Sequence, residues 1–234
     1  MPEITVNDIV IDVVRKSIKN LYLTIYPPDK VRISAPIYAN DHAIKLFVIS
    51  KLSWIKKHKI KFDQQQTQFK KYEYISGESH YFQGQSYLLN VIYSKKNMVM
   101  FRDKQYIDLY VTEGSSYNKR NCVMNQWHRQ QLHEQIIIYI NKWQQIIGLV
   151  INGYGIKKMK TKWGSCNIKT RYIWLNLELI KKPLHCLEYV VVHELVHLLE
   201  RKHNARFKSY MDKLMPEWRN YRKELNNFLL EHQV

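Results

Sequence analysis

Cysteine is scarce in this sequence, and its count and spacing narrow the class of protein. The three cysteines, Cys122, Cys166 and Cys186, are odd in number, far apart and never in a C-x-x-C pair. The pattern points to a reduced, cytoplasmic protein and not to a disulfide scaffold. Long apolar runs are missing too: none approaches the ~18 residues a membrane span requires. The opening MPEITVNDIVIDVVRKS puts acidic residues ahead of basic ones and alternates apolar with polar, unlike a signal peptide. Negative charge is sparse: 20 acidic side chains stand against 37 basic ones, a formal charge of +17. The cations run along the whole chain and suit either polyanionic partners (nucleic acid, nucleotides, acidic peptides or anionic membrane) or simple solubility. Apolar residues make up 45% and aromatic residues 13% of the 234, which excludes a disordered chain and suffices for one large domain or two small ones.

Period-two alternation around Ile9, Ile11 and Val13, then Leu21, Leu23 and Ile25, then Val31 and Ile33 predicts strands across 4–35. Pro27-Pro28-Asp29 marks a turn. Asn40 or Asp41 caps a helix with Ile44, Phe47, Val48, Leu52 and Ile55 on one face and a lysine-rich end, before a joint at Gln64-Gln65-Gln66. Two hairpins follow, with turns at Gly84-Gln85 and Asp103-Lys104. Gly114 with Ser115 and Ser116 marks a domain boundary, and residues 117–147 form a long helix stopped by Gly148. His128 and His133 lie five apart on it, do not share a face, and are read as structural or exposed. Residues 156–163 and 172–179 are predicted strands of an antiparallel hairpin closed by Gly164-Ser165-Cys166-Asn167, with Pro183 opening the next helix. No internal repeat is visible.

The chemistry gathers in VVVHELVHLLERKH, residues 190–203. His193 and His197 are four apart and project from one helical face, where two imidazoles can bind one zinc ion at ~2.0–2.1 Å each. Glu194 beside them sits where a general base acts on water activated by that metal, the H-E-x-x-H arrangement of zinc hydrolases. The rest of the helix is apolar, so burying His, Glu and His without a partner is costly and a metal removes that cost. A third protein ligand is expected. Glu200, seven past His193, returns to the same face only if the helix continues. His203, ten past, lies about 280° round an ideal helix and reaches the metal only if the chain turns away. Cationic residues 201–202 and the N-cap residue Asn204 signal a helix end and favour His203. The spacing of the three histidines is that of metzincin proteases, but their glycine position holds Glu200, which argues against a metzincin proper.

Beyond that helix, the stretches KSIKNLYLTIYPPDKVRISAP, SGESHYFQGQSYLL, KTKWGSCN, YIWLNLELI and YVVVHELVHLLERKHNARF resemble the YgjP-like metallopeptidase family. The resemblance implies a zincin-like fold, zinc held by His193, His197 and His203, and Glu194 as catalytic base. It also implies that Trp163 and Asn176 shape the cleft. Arg171 and Tyr172 are substrate-contact candidates, and with Arg206 and Tyr210 they are candidates for stabilising an oxyanion. Cys166 is either a thiolate near the metal or part of a tight turn; Phe207 is read as a core anchor.

The fold expected is α+β: a β-rich N-terminal region with one helix over 1–114, then a zincin-like region over 115–234 with an active-site helix and an adjacent edge strand. The function expected is a Zn²⁺-dependent hydrolase acting on peptide. One alternative is a metal-dependent nucleoside-triphosphate pyrophosphatase. Another is a nucleic-acid-binding protein using its basic surface, with a structural zinc.

Overall fold

Alternating apolar residues build the first sheet, and its first turn is short because it accepts left-handed backbone. The computed structural model describes residues 3–26, 30–66 and 72–227, so the turn expected at Pro27–Asp29 lies outside it. Strands β1 (Glu3–Val6), β2 (Ile9–Lys16), β3 (Tyr22–Tyr26) and β4 (Lys30–Pro36) form a sheet of order β1-β2-β4-β3. Strands β1 and β2, and β3 and β4, are antiparallel, whereas β2 and β4 run parallel. Asn7 and Asp8 join β1 to β2 with φ of 44° and 63°, the paired positive values of a type I′ hairpin. Ile11, Val13, Val31 and Ile33 form the buried face, and Ile44, Val48 and Ile55 of helix α1 (Asp41–Gln66) join them in one core. Asn40 caps α1, its Oδ1 accepting the Ala43 amide at 2.7 Å. The helix continues through Gln64–Gln66, where the sequence suggested a joint.

The same plan recurs in the second unit. Strands β5 (Ser79–Phe82), β6 (Gln85–Tyr93), β7 (Met98–Phe101) and β8 (Tyr106–Val111) have the order β5-β6-β8-β7. Their senses are again antiparallel, parallel and antiparallel. The first turn, at Gln83 (φ 50°) and Gly84 (φ 83°), is again type I′, and a long helix α2 (Tyr117–Ile147) follows. The chain therefore contains a topological repeat that its sequence does not display. What recurs is strand order and turn handedness, which Asn-Asp and Gln-Gly satisfy equally.

The compact units divide between Lys71 and Tyr72, not at Gly114. Leu89, Ile107 and Leu109 of the second sheet share one core with Met124, Leu132 and Ile136 of α2 and with the active-site helix. Gly114 is a left-handed turn within that unit, with φ 71°.

A third sheet follows, and here the expected hairpin is replaced. The tetrapeptide Gly164–Asn167 is itself a strand, β10, rather than a turn. It pairs antiparallel with β11 (Tyr172–Asn176), while β9 (Gly153–Lys157) pairs parallel with β11 on the other side. The order β10-β11-β9 leaves β10 at the edge. A 3₁₀ helix (Leu177–Lys181) leads into α3 (Leu184–Val196), then α4 (Ala205–Leu214) and α5 (Trp218–Asn227). This is an α+β chain. Among the described residues no helix is long and apolar enough to cross a membrane.

Helix α3 is bolted in place from two sides. Glu188 Oε1 accepts from Trp143 Nε1 at 2.9 Å and Lys142 Nζ at 2.7 Å, tying α3 to α2. The β5–β6 turn closes on its N-terminus, the Gln83 amide donating to Ile180 O at 2.7 Å. Gly84 is needed there for space as well as φ: a Cβ would lie 2.8 Å from Pro183 Cγ.

Candidate active site

Helix α3 stops at Val196, and that stop assembles the site. His197 serves as its C-cap, and its Nδ1 lies 3.2 Å from the Glu200 carbonyl oxygen. A carbonyl only accepts, so Nδ1 carries the proton and Nε2 keeps its lone pair. The chain turns away after His197, and Asn204 begins α4 with its Oδ1 accepting the Phe207 amide at 3.0 Å. The turn brings His203, not Glu200, to the helix pair. His193, His197 and His203 each offer a ring nitrogen within 4.8 Å of the others. His193 Nε2 and His203 Nε2 are 3.0 Å apart. The Glu200 carboxylate is used locally, its Oε1 accepting the Lys202 amide at 3.1 Å.

These three rings fit a metal. Two nitrogens at ~2.0–2.1 Å from one tetrahedral ion lie about 3.3 Å from each other, close to the His193–His203 separation. All three rings are held toward neutrality, which a ligand requires. Burial pushes His193 down to about 3, with His197, His203 and Arg222 adding to it. Burial is also the largest cause of the lowered values of His197 and His203. Phe207 is more than a core anchor. It is 1% exposed, and its ring lies 4.9, 4.9 and 4.7 Å from those of His193, His197 and His203, a common floor beneath the triad.

Glu194 is 5% exposed, and burial raises its carboxyl to about 8, with Lys162 pulling the other way. Its chain-side wall is Gly164 of β10. A Cβ on Gly164 would lie 2.7 Å from Glu194 Oε1 and 2.9 Å from its Cγ. Cys166 also lies near this carboxylate; burial and Glu194 push its thiol up to about 11.

The triad and Glu194 open onto a cavity of about 640 Å³. Trp163 lines it, as expected. Asn176, Arg171 and Tyr172 are not among the described lining residues. Asn176 is fully buried and acts from behind, its Nδ2 donating to Met159 O and Lys162 O at 2.9 Å each. Tyr172 donates its hydroxyl to Tyr154 O at 2.8 Å on the neighbouring strand. Arg171 sits in the β10–β11 turn with φ 49°. Arg206 donates to the Tyr210 hydroxyl at 3.3 Å, and neither is among the described lining residues. The cations that do line the cavity are Lys162, Arg201, Lys208 and Arg222. Arg222 has a legible signal. It falls four after Trp218 and three before Leu225, both buried and both in the cavity wall, so a charge interrupts an apolar helical stripe.

Residues 19–228 match the family described as YgjP-like, metallopeptidase domain. The chain belongs to that family. Among solved structures, it is similar to the zymogen of the metallopeptidase jannalysin of Methanocaldococcus jannaschii, at 23% identity and a TM-score of 0.35, covering 39% of this chain and 93% of that one. It is also similar to the zymogen of abylysin of Pyrococcus abyssi, at 18% identity and a TM-score of 0.35, covering 40% and 90%. No curated protein matches the chain. The YgjP-like match takes in the second sheet, the third sheet and the histidine triad together, so the metallopeptidase assignment rests on most of the chain and not on one motif.

Proposed function

We propose that the chain is a zinc-dependent peptidase in which His193, His197 and His203 hold the metal and Glu194 is the general base. The observation that carries this reading is the convergence of three neutral ring nitrogens beside one buried carboxylate in an open cavity. An all-imidazole donor set with room for a further ligand suits catalytic zinc. When bound, the metal supplies Lewis-acid activation of the scissile carbonyl and of the attacking water. Glu194 takes the proton from that water at its carboxylate and delivers it to the leaving nitrogen. Burial raises this carboxyl while Lys162 lowers it, which favours its holding the proton it takes until the leaving nitrogen accepts it. His197 is fixed in the tautomer that presents Nε2 by its bond to Glu200 O, and Phe207 holds all three rings in register. Among the described residues strand β10 pairs with β11 alone, and Gly164, Ser165 and Cys166 line the cavity, so an extended peptide can add as a further strand.

A second reading keeps the metal and takes a nucleoside triphosphate as substrate; the four cations of the cavity favour it. The edge position of β10 favours peptide.

The test measures zinc content and cleavage of a mixed peptide library by the full-length chain. One zinc per chain is expected, lost in His203→Ala and kept in Glu200→Ala. Glu194→Gln should keep the zinc and lose cleavage by roughly 10²–10⁴-fold. Cleavage that survives Glu194→Gln, or triphosphate hydrolysis with no peptide cleavage, overturns the reading.

A further inference from the structure

We infer that the cavity selects peptides carrying carboxylate side chains beside the bond to be cut, and that Arg222 anchors those carboxylates. The inference rests on the peptidase reading above and adds the substrate class to it. Its basis is four cations delivered to one cavity by four separate segments. Lys162 comes from the loop before β10, Arg201 from the turn after α3, Lys208 from α4 and Arg222 from α5. Among the described lining residues the one carboxylate is Glu194, which is buried and assigned to proton transfer.

Among the described residues, none of the four cations forms an ion pair. Arg219, on the same helix as Arg222, shows the contrast: its Nη2 donates to Asp212 Oδ2 at 3.2 Å. Two further cations are matched in the same way, Arg102 with Asp108 at 2.8 Å and Lys142 with Glu188 at 2.7 Å. Leaving four like charges unmatched around one cavity repels the chain from itself, and an incoming carboxylate relieves that repulsion. The charges also bracket the reacting centre. Arg222 acts electrostatically on His193 and His203, and Lys162 acts on Glu194 from the strand side.

Arg222 stands out among the four because it rises from a helix between two buried residues of the cavity wall. Trp218 and Leu225 flank it on the helix face, 4% and 2% exposed, and all three line the cavity. A planar guanidinium recognises a carboxylate with two parallel hydrogen bonds, which a lysine cannot do. The cations are spread round the cavity instead of gathered at one loop. That spacing suits side-chain carboxylates distributed along an extended peptide on β10.

The experiment compares two short fluorescent peptides identical except for Glu in place of Gln at the positions flanking the cleaved bond. Binding is read by anisotropy with zinc-loaded Glu194→Gln protein, and cleavage with the wild-type chain. The Glu peptide should bind about 10-fold more tightly at low salt, and the preference should shrink as salt shortens the ~10 Å screening length at 0.1 M. Adding Arg222→Gln should reduce the preference to about 2–3-fold. Arg222→Lys should restore part of it, and Lys57→Gln on α1 should leave it unchanged. Equal binding and equal cleavage of the two peptides would overturn the inference while leaving the peptidase reading in place. A preference that survives Arg222→Gln would remove Arg222 as the anchor. Failure to bind or cut either peptide, with hydrolysis of a nucleoside triphosphate, would overturn both readings together.

Discussion

Replacing Gly164 by alanine tests the packing of Glu194, the proposed general base, with a single methyl group. The backbone of Gly164 has no positive φ, so the perturbation is steric and not conformational. The new Cβ would lie 2.7 Å from Glu194 Oε1, 2.9 Å from Glu194 Cγ and 2.9 Å from Val190 Cγ1. An unstrained contact needs ~3.5 Å or more, so Glu194 or strand β10 must move by about 0.5–0.9 Å. Glu194 cannot retreat into α3, where Val190 and Val191 are already buried. It must swing toward the cavity or push β10 outward. A displacement approaching 1 Å at a reacting group costs up to about 10²-fold in rate, so we expect kcat/KM to fall roughly 10–100-fold. Overpacking of this kind destabilises by about 1–3 kcal/mol. The nearest atoms the methyl meets belong to Glu194 and Val190, so zinc content should stay at the wild-type level. The assay is peptide hydrolysis beside thermal melting and metal analysis on the same preparation. Wild-type turnover with an unshifted melting temperature would refute the reasoning, because it would mean that the wall at Gly164 yields freely.

Two further predictions concern groups behind the site. His128 is 3% exposed, and burial lowers it from 6.5 to about 3. The folded state therefore resists its protonation: its full contribution is present above pH 6.5 and is lost as pH falls toward 3. The loss from this one group is about 2 kcal/mol by pH 5 and up to about 5 kcal/mol by pH 3, so denaturant titrations should show His128→Leu flattening the acid limb by about 1.4 kcal/mol per pH unit. An unchanged slope would mean that His128 is not the titrating group. Asn176 gives two hydrogen bonds to the loop that carries Lys162. Asn176→Asp keeps the shape but loses both donors, and should cost about 2–4 kcal/mol in chemical denaturation while raising KM more than it lowers kcat.

Much of this was legible because apolar periodicity and capping residues act locally. The bounds of α2 and the strands Met98–Phe101 and Tyr106–Val111 agree with the sequence pattern, since the helix carries its own N-cap at Ser116 and its own left-handed stop at Gly148. The helix end after His197 was legible for the same reason, in Asn204 and the cations before it. What was not legible depends on partners distant in sequence. Gly164–Asn167 looks like a turn by composition, yet it is a strand because β11 offers it a ladder from Leu175 back to Tyr172. The division of the chain was misplaced at Gly114 because a glycine turn signals a change of direction, not the end of a core. The repeated sheet escaped notice because turn handedness and strand order survive where side chains do not. Asn176 suggested a cleft residue, but its amide geometry makes it a staple.

The end of α3 joins local structure to chemistry in one hydrogen bond. If the helix ran on, Glu200 would return to the face of His193 and His203 would point elsewhere. Instead the Glu200 carbonyl, freed from helical bonding by the turn, accepts from His197 Nδ1 at 3.2 Å. That contact gives a partner to a carbonyl of the turn, fixes the tautomer of a ring, and aims Nε2 at the other two histidines. The backbone of Glu200 thus matters where its carboxylate does not. Substituting its side chain should therefore leave the triad intact, whereas anything that extends the helix past His197 should dismantle it.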